Sequence, residues 1–171
     1  TLVLAGSVPH TLPQDIYEQI LSRLQGRGIR FVVDATGALL TNVLKYHPFL
    51  IKPNRAELEE ICGRVLKTDE EIAAAARELR AEGAVNVLVS LGRDGALLVD
   101  EFDCVHRRQA IDGKVVNTVG SGDSMVAGFL VGVEKGYEYA LVLGNAAGNA
   151  TAFSAGLATK ESIMMLCKNM E

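Results

Sequence analysis

A short segment, Gly120-Ser121-Gly122-Asp123, combines two flexible residues with an acidic one just before a stretch of helical periodicity. Two glycines let the backbone approach a ligand closely and turn several N–H groups in one direction. The first turn of the following helix adds unpaired N–H groups and a partial positive charge, and this combination suits a phosphate. Asp123 is therefore predicted to lie in the first helical turn, beside an anion-binding site.

A carboxylate at this position has two interpretations. It could accept a proton from a substrate hydroxyl while the backbone holds a transferring phosphoryl group, since phosphoryl transfer demands mainly positioning and charge stabilisation. It could also only stabilise the helix terminus, with the glycines making a turn. Spacing alone does not separate the two. Two other phosphate loops are excluded, because the chain has no GxxxxGK[ST] motif and Met125 occupies the third glycine position of the Rossmann pattern.

A second polar segment, Lys52-Pro53-Asn54-Arg55-Ala56-Glu57, follows the apolar run 49–51. Asn54 and Glu57 are three residues apart and would share a helical face, where an amide oxygen and a carboxylate could hold Mg²⁺ directly or through water. The same spacing is that of a capping box, which the spacing alone favours. Lys52 could reach nucleotide phosphates or be an ordinary exposed lysine.

Two further segments are candidates for nucleotide contacts. The stretch Ser90-Leu91-Gly92-Arg93-Asp94-Gly95 follows the apolar run 85–89 and predicts a tight turn, while its glycines would also allow a nucleotide close to the backbone. Asn149 lies among alanines and glycines in a predicted helix. Close helix packing explains those small residues equally well.

The elements that must position these segments alternate between short apolar runs and helical patterns, the rhythm of parallel strands joined by crossover helices. Ligands of such sheets bind beyond the carboxyl ends of the strands, where all four segments fall. The chain shows no repeat or linker, so residues 1–171 are predicted to be one α/β domain or part of one. Predicted strands are 2–5, 31–33, 49–51, 85–90 and 95–99; predicted helices include 37–46, 139–153 and 160–168; capping-box spacing occurs at Thr11/Gln14 and Thr68/Glu71.

Composition narrows the functional classes. Of 171 residues, 49% are hydrophobic, which indicates a packed core, and the net charge of −4 offers no broad cationic surface for nucleic acid or acidic membranes. No apolar run is long enough to cross a bilayer. Three scattered cysteines favour neither a zinc site nor a disulfide framework and predict reduced thiols in the cytoplasm. A phosphatase-like hydrolase would need a second acidic cluster or a nucleophile near the anion loop, and none is visible.

The segment from Thr118 to Phe129 resembles the C-terminal signature of the ribokinase-like (PfkB) carbohydrate kinases, whose core is usually written GAGD. Ser121 stands where alanine is more usual and is small enough to keep the loop geometry. The NxxE motif of the family resembles Asn54 to Glu57, and its GSLP segment resembles residues 6–9. The turn at 90–95 is very similar to the SLGxxG stretch of 1-phosphofructokinases and tagatose-6-phosphate kinases. The resemblance covers essentially the whole chain.

This resemblance implies a ribokinase-like three-layer α/β/α fold and an ATP-dependent sugar-phosphate kinase, with fructose 1-phosphate as the expected acceptor and tagatose 6-phosphate as the alternative. Asp123 would be the catalytic base that activates the hydroxyl on carbon 6. The amides of Gly120, Ser121 and Gly122 would form the anion hole. Implied ligand contacts are Asn54 and Glu57 for Mg²⁺, and Lys52, Ser90, Leu91, Gly92, Arg93, Asp94, Gly95, Gly122 and Asn149 for ATP.

The resemblance also implies that the chain is the C-terminal, nucleotide-binding and catalytic portion of a kinase domain. The first strands of the family, its sugar-holding glycine pair and aspartate, and the β-sheet lid that mediates dimerisation in many members have no counterpart here. Expected partners are ATP and a phosphorylated sugar, with a homodimer formed through the lid. A second hypothesis is a catalytically silent nucleotide-binding fragment.

Overall fold

The computed structural model describes residues 1–168, in which strands and helices alternate as the sequence predicts. Short 3-10 turns occur at Leu44–Tyr46, Gly92–Asp94 and Val133–Lys135. The strands are β1 Leu2–Ala5, β2 Phe31–Asp34, β3 Leu50–Ile51, β4 Asn86–Ser90, β5 Ala96–Val99 and β6 Val105–Arg108. The helices are α1 Ile16–Leu24, α2 Ala38–Thr41, α3 Arg55–Cys62, α4 Asp69–Ala81, α5 Ser121–Gly132, α6 Tyr137–Ala152 and α7 Lys160–Lys168.

The six strands form one sheet in the order β1-β2-β3-β4-β5-β6. Neighbours from β1 to β4 pair in parallel, and Val33 of β2 stands opposite Ile51, which in turn stands opposite Val87 of β4. These central residues are fully buried, as expected for parallel strands that are covered on both faces. The predicted α/β class with a largely parallel sheet is confirmed.

The chain divides into two compact units, one of residues 1–89 with 98–105 and the other of residues 90–97 with those from 106 onward. In the first unit, α3 begins with a capping box between Asn54 and Glu57, and α4 begins with another between Thr68 and Glu71. In each box a side-chain oxygen accepts from the third helical N–H, and the glutamate accepts from the cap backbone. These two capping-box predictions are confirmed, whereas the third, at Thr11 and Gln14, is not.

Two predictions in the first unit need correction. Thr11 and Gln14 do not cap α1, which starts at Ile16 after Asp15 and has no side-chain cap. Turns hold this segment instead, because the carbonyls of Pro9 and Pro13 accept from residues three positions further on. The predicted helix 37–46 is divided into α2 and the 3-10 turn Leu44–Tyr46, which is followed by His47 with a left-handed φ of 51°.

In the second unit, α5 and α6 approach each other until their backbones touch. A Cβ added to Gly128 would lie 2.7 Å from the carbonyl oxygen of Leu143, and one added to Gly144 would lie 2.9 Å from that of Met125. A Cβ on Gly132 would likewise lie 2.7 Å from the Cα of Ala140. Glycine is therefore required for this spacing. Within residues 1–168, none of the helices has the length and apolar character that crossing a membrane requires.

Candidate active site

The first turn of α5 leaves backbone donors unpaired. Gly120 stands before the helix with φ of 79° and, having no side chain, provides no cap. The N–H of Ser121 donates to the carbonyl of Thr118 at 3.2 Å, so this predicted anion-hole amide is already used. The N–H groups of Gly122 and Asp123 find no acceptor among residues 1–168. These two donors lie at the positive end of a helix dipole, which favours an anion there.

Asp123 occupies the first turn of α5, as predicted, and is exposed. It shares this turn with the two unpaired amides, so its carboxylate and an anion held by them would be neighbours. Ser124, the next residue, is tied down by its hydroxyl, which hydrogen-bonds that of Thr151 on α6 at 2.8 Å. The turn that carries the carboxylate is therefore fixed by α6.

A cavity of about 570 Å³ opens beside this loop, within the second unit. Its volume falls in the range of small-molecule sites. Ser121 and Gly122 line it, whereas Gly120 and Asp123 do not. Other predicted site residues in its wall are Ser90, Gly92, Arg93, Gly95 and Asn149, while Leu91 and Asp94 are outside it. The wall also contains residues that were not among the predicted ligand contacts: Ala110, Ile111, Asp112, Gly113, Val115, Thr118, Met125, Asn145, Gly148, Ala152 and Phe153.

The turn at one side of the cavity has the geometry that its sequence predicts. The N–H of Leu91 donates to the carbonyl of Gly95 at 2.8 Å, and Gly92 and Gly95 have φ of 59° and 93°. Leu91 is buried and is absent from the cavity wall. A Cβ on Gly95 would lie only 2.0 Å from the carbonyl oxygen of Arg108, so this glycine is required by packing as well as by φ.

Helix α6 supplies the other side of the cavity through two asparagines one turn apart. Asn149 was predicted from the sequence, and Asn145 was not. Asn145 is fully buried, and its Nδ2 donates to the carbonyl of Gln109 at 2.7 Å. Asn149 Nδ2 donates to the main-chain oxygen of Asn145 at 2.7 Å and to its Oδ1 at 3.1 Å. The i, i+4 spacing was the signal in the sequence, concealed by the small residues around it.

Lys52, Asn54 and Glu57 belong to the first unit. Lys52 is only 6% exposed and pairs with Asp34, at the end of β2, with an N–O distance of 3.1 Å. The alternative of an ordinary exposed lysine is therefore wrong, because the neighbouring strand provides a carboxylate that allows the ammonium to be buried. Its predicted contact with nucleotide phosphates stays a prediction.

The oxygens predicted to hold Mg²⁺ are largely occupied by the capping box. Asn54 Oδ1 accepts from the N–H of Glu57 at 2.9 Å, and Glu57 Oε2 accepts from that of Asn54 at 2.8 Å. Only Glu57 Oε1 is left without a partner among the described residues. The same residues contain no group of three or more histidine, cysteine or acidic side chains that could hold a metal ion. Asn54 and Glu57 therefore do not fit a metal site built of protein ligands alone.

Comparison with known families gives the same class of protein as the loop and the fold. The profile of the pfkB family carbohydrate kinases matches residues 1–163. The chain therefore belongs to the pfkB family of carbohydrate kinases.

Individual relatives refine this assignment. The chain is 42% identical over 167 residues to a 1-phosphofructokinase of Bacillus subtilis, covering 96% of this chain and 55% of the relative. It is 39% identical over 159 residues to a D-tagatose-1-phosphate kinase of Bacillus licheniformis, covering 91% and 52%. It superposes on phosphofructokinase-2 of Escherichia coli in complex with substrates and products with a TM-score of 0.91, at 31% identity and with 98% and 56% covered. The chain thus spans about half the length of these relatives.

Proposed function

We propose that the protein carrying this chain transfers the γ-phosphoryl group of ATP to a sugar phosphate, namely D-fructose 1-phosphate, and forms D-fructose 1,6-bisphosphate. The observation that carries the proposal is the pair of unpaired N–H groups at Gly122 and Asp123 in the same helical turn as the Asp123 carboxylate. Membership of the pfkB family and a 42% identical relative named 1-phosphofructokinase support it.

Asp123 is assigned the role of general base. Its carboxylate takes the proton of the carbon-6 hydroxyl, so that the oxygen can attack the γ-phosphorus in line while ADP leaves. The amides of Gly122 and Asp123 donate to the oxygens of the transferring group, where negative charge is spread in the transition state. The N–H of Ser121 makes no such contribution while it donates to Thr118.

The cavity beside the loop is assigned to the nucleotide. Glycines at 92, 95 and 122 allow close backbone approach, and Ser121 Oγ is a buried hydroxyl with no partner within residues 1–168, beside the loop that would meet the phosphates. When bound with the nucleotide, Mg²⁺ would neutralise phosphate charge and would be held mainly by phosphate and water oxygens, which is its usual preference. A contact of Glu57 with Mg²⁺, direct or through water, stays the prediction of the NxxE motif, and its Oε1 has no partner among the described residues.

A coupled assay of ADP formation on the whole protein tests the proposal. Fructose 1-phosphate should give the highest kcat/KM among hexose phosphates, and absence of turnover with every sugar phosphate would contradict it. The closest alternative is a tagatose phosphate, favoured by the 39% identity to a relative named D-tagatose-1-phosphate kinase and by the motifs shared with tagatose-6-phosphate kinases. A higher kcat/KM for tagatose 1-phosphate or 6-phosphate would decide for that alternative.

A silent nucleotide-binding fragment is the second class of function, favoured because the chain spans about half of each relative. Calorimetry of the 1–171 chain with ATP, followed by the coupled assay on the same sample, separates the two. ATP binding without turnover in this chain, together with turnover in the whole protein, would limit the fragment to binding. Turnover by the 1–171 chain itself would exclude the fragment hypothesis.

A further inference from the structure

Thr151, near the end of α6, binds two other parts of the chain with one hydroxyl group. Its Oγ1 lies 2.8 Å from the Oγ of Ser124, the residue after Asp123 in α5, and accepts from the N–H of Ala158 at 3.2 Å. A hydroxyl has one hydrogen and two lone pairs, so it can make both bonds at once. Thr151 is only 1% exposed, so water competes little for them. The start of α5 is thereby joined to the residues that follow α6.

The residues that follow α6 also contact the loop before α5 in two further places. The carbonyl of Ala155 accepts from Asn117 Nδ2 at 3.4 Å, and a Cβ added to Gly120 would lie 2.7 Å from Leu157 Cδ2. The same Cβ would lie 4.0 Å from Cγ2 of Thr151. The side of Gly120 that carries no side chain therefore faces Thr151 and the segment that Thr151 holds.

The start of α5 needs such support because its cap residue, Gly120, provides no side-chain hydrogen bond. Helix ends fray, and here the N–H of Ser124 donates to the carbonyl of Gly120 at 2.9 Å to close the first turn. The backbone of α6 supports one side of this turn, since a Cβ on Gly148 would lie 3.2 Å from the carbonyl oxygen of Ser121. The hydrogen bond between Ser124 and Thr151 adds a side-chain contact that keeps the turn helical while its amides stay open to a ligand.

We infer that Thr151 is a positioning residue for phosphoryl transfer, which keeps the Asp123 carboxylate and the open amide of Gly122 in a fixed geometry. The inference rests on the proposed function, because it takes Asp123 as the general base, and it adds the residue that orients this base. Neither Thr151 nor Ser124 lines the cavity, so their hydroxyl pair acts on the geometry of transfer and not on nucleotide binding. A displacement of about 1 Å in reacting groups can lower a rate about 100-fold.

The test compares two substitutions of Thr151 in the whole protein. Thr151→Val keeps the shape of the side chain and loses the hydroxyl, whereas Thr151→Ser keeps the hydroxyl and loses the methyl group. We expect Thr151→Val to lower kcat about 10- to 100-fold and to change the Kd of a non-hydrolysable ATP analogue less than about threefold. Thr151→Ser should restore kcat to within about threefold of wild type. Calorimetry also gives the number of binding sites, so kcat is expressed per folded molecule.

A double-variant cycle shows whether Thr151 acts through Ser124. Ser124→Ala should lower kcat about tenfold, and Ser124→Ala/Thr151→Val should lose no more than Thr151→Val alone, because residues that share one hydrogen bond give non-additive losses. Multiplied losses would contradict the route through Ser124. Ser154→Ala is the matched control, since this hydroxyl, just after α6, donates to the carbonyl of Ala150 in the same helix at 2.8 Å. It should keep the wild-type kcat.

Three outcomes would overturn the inference. They are an unchanged kcat in Thr151→Val, an equal loss of kcat in Thr151→Ser, and a loss of kcat that is matched by an equal loss of affinity for the ATP analogue. If Thr151→Val does not fold, Ser124→Ala decides, because Ser124 is only partly buried, and an unchanged kcat in that variant would likewise overturn the inference.

The same measurements separate this inference from the proposed function. Absence of turnover in the wild type with every sugar phosphate would contradict the proposed function, and the role of Thr151 with it. An active wild type with an equally active Thr151→Val would contradict only the role of Thr151.

Discussion

At the N-terminus of α3, the side chains of Asn54 and Glu57 each accept a hydrogen bond from the other's backbone N–H. At the N-terminus of α5, the cap residue is Gly120, and the amides of Gly122 and Asp123 have no acceptor among the described residues. The first arrangement satisfies a helix terminus within the protein. The second gives up a side-chain cap, at a cost of roughly a few tenths of a kcal/mol when glycine stands at the cap, and leaves those donors for another acceptor. The comparison shows that a capped helix terminus, as in α3, is structural, whereas an uncapped one, as in α5, keeps N–H groups available to bind an anion.

The largest expected effect is a loss of kcat when the carboxylate at the uncapped terminus of α5 is removed. Asp123→Asn keeps the size of the side chain and the open amides but removes the base. We expect kcat in the whole protein to fall about 100- to 10,000-fold, while the Kd for ATP changes little. The coupled assay gives kcat, and calorimetry gives Kd. Near-wild-type turnover would remove Asp123 from the role of general base.

A smaller effect comes from giving the open terminus a side chain. Gly120→Ala forces alanine into φ of 79° and brings its Cβ to 2.7 Å from Leu157 Cδ2. We expect a loss of about 1–2 kcal/mol in the free energy of unfolding and about a tenfold loss in kcat/KM as the amides turn from the phosphate. Urea unfolding and steady-state kinetics measure the two effects.

The double variant Gly120→Ala/Leu157→Ala is the control for the loop. It removes the contact with Leu157 but keeps the unfavourable φ, so the kinetic loss should persist. Full recovery of kcat/KM would show that crowding, rather than backbone geometry, caused the loss.

The two capping boxes provide a matched pair for the magnesium prediction. Glu57→Gln and Glu71→Gln both keep an oxygen that can accept from the cap backbone and both lose the charge. If Glu57 also contacts the metal, Glu57→Gln should raise the Mg²⁺ concentration for half-maximal rate about tenfold, while Glu71→Gln should leave it unchanged. Identical magnesium curves for the two variants would limit Glu57 to capping.

The smallest expected effect is the pH dependence of the stability that the capping box of α4 provides. Hydrogen bonds from the N–H groups of Lys67 and Thr68 lower the pKa of Glu71 below its ordinary value of 4.5. A lowered pKa means that the folded state favours the carboxylate, so this stabilisation is present above pH 4.5 and is lost as the pH falls through the folded-state pKa. The difference in Tm between wild type and Glu71→Gln should therefore shrink from pH 7 to pH 3. A constant difference would contradict the capping interaction.

The sequence predicts the capping boxes at helix termini better than it predicts the residues that line the cavity. Asn54/Glu57 and Thr68/Glu71 are local patterns whose partners lie within one helical turn, and both predictions are correct, although the same spacing at Thr11 and Gln14 forms no cap. The burial of Lys52 could not be predicted in the same way, because its partner Asp34 comes from another strand. Asn145 was missed because its partner, the carbonyl of Gln109, is a backbone group far along the chain that no residue type reveals. The predicted homodimer stays a prediction.

The contact of α5 and α6 through Gly128 and Gly144 has a consequence for the length of ligand that the site can bind. One helix carries the phosphate end of the site at its start, and the other carries Asn149 along its length. Because main-chain atoms of the two helices are in contact, the distance between the helices is fixed and no side chains lie between them that could adjust it. A ligand that is shorter or longer than the distance between the start of α5 and Asn149 would contact only one of them. Substitutions elsewhere on the surface would not change that distance.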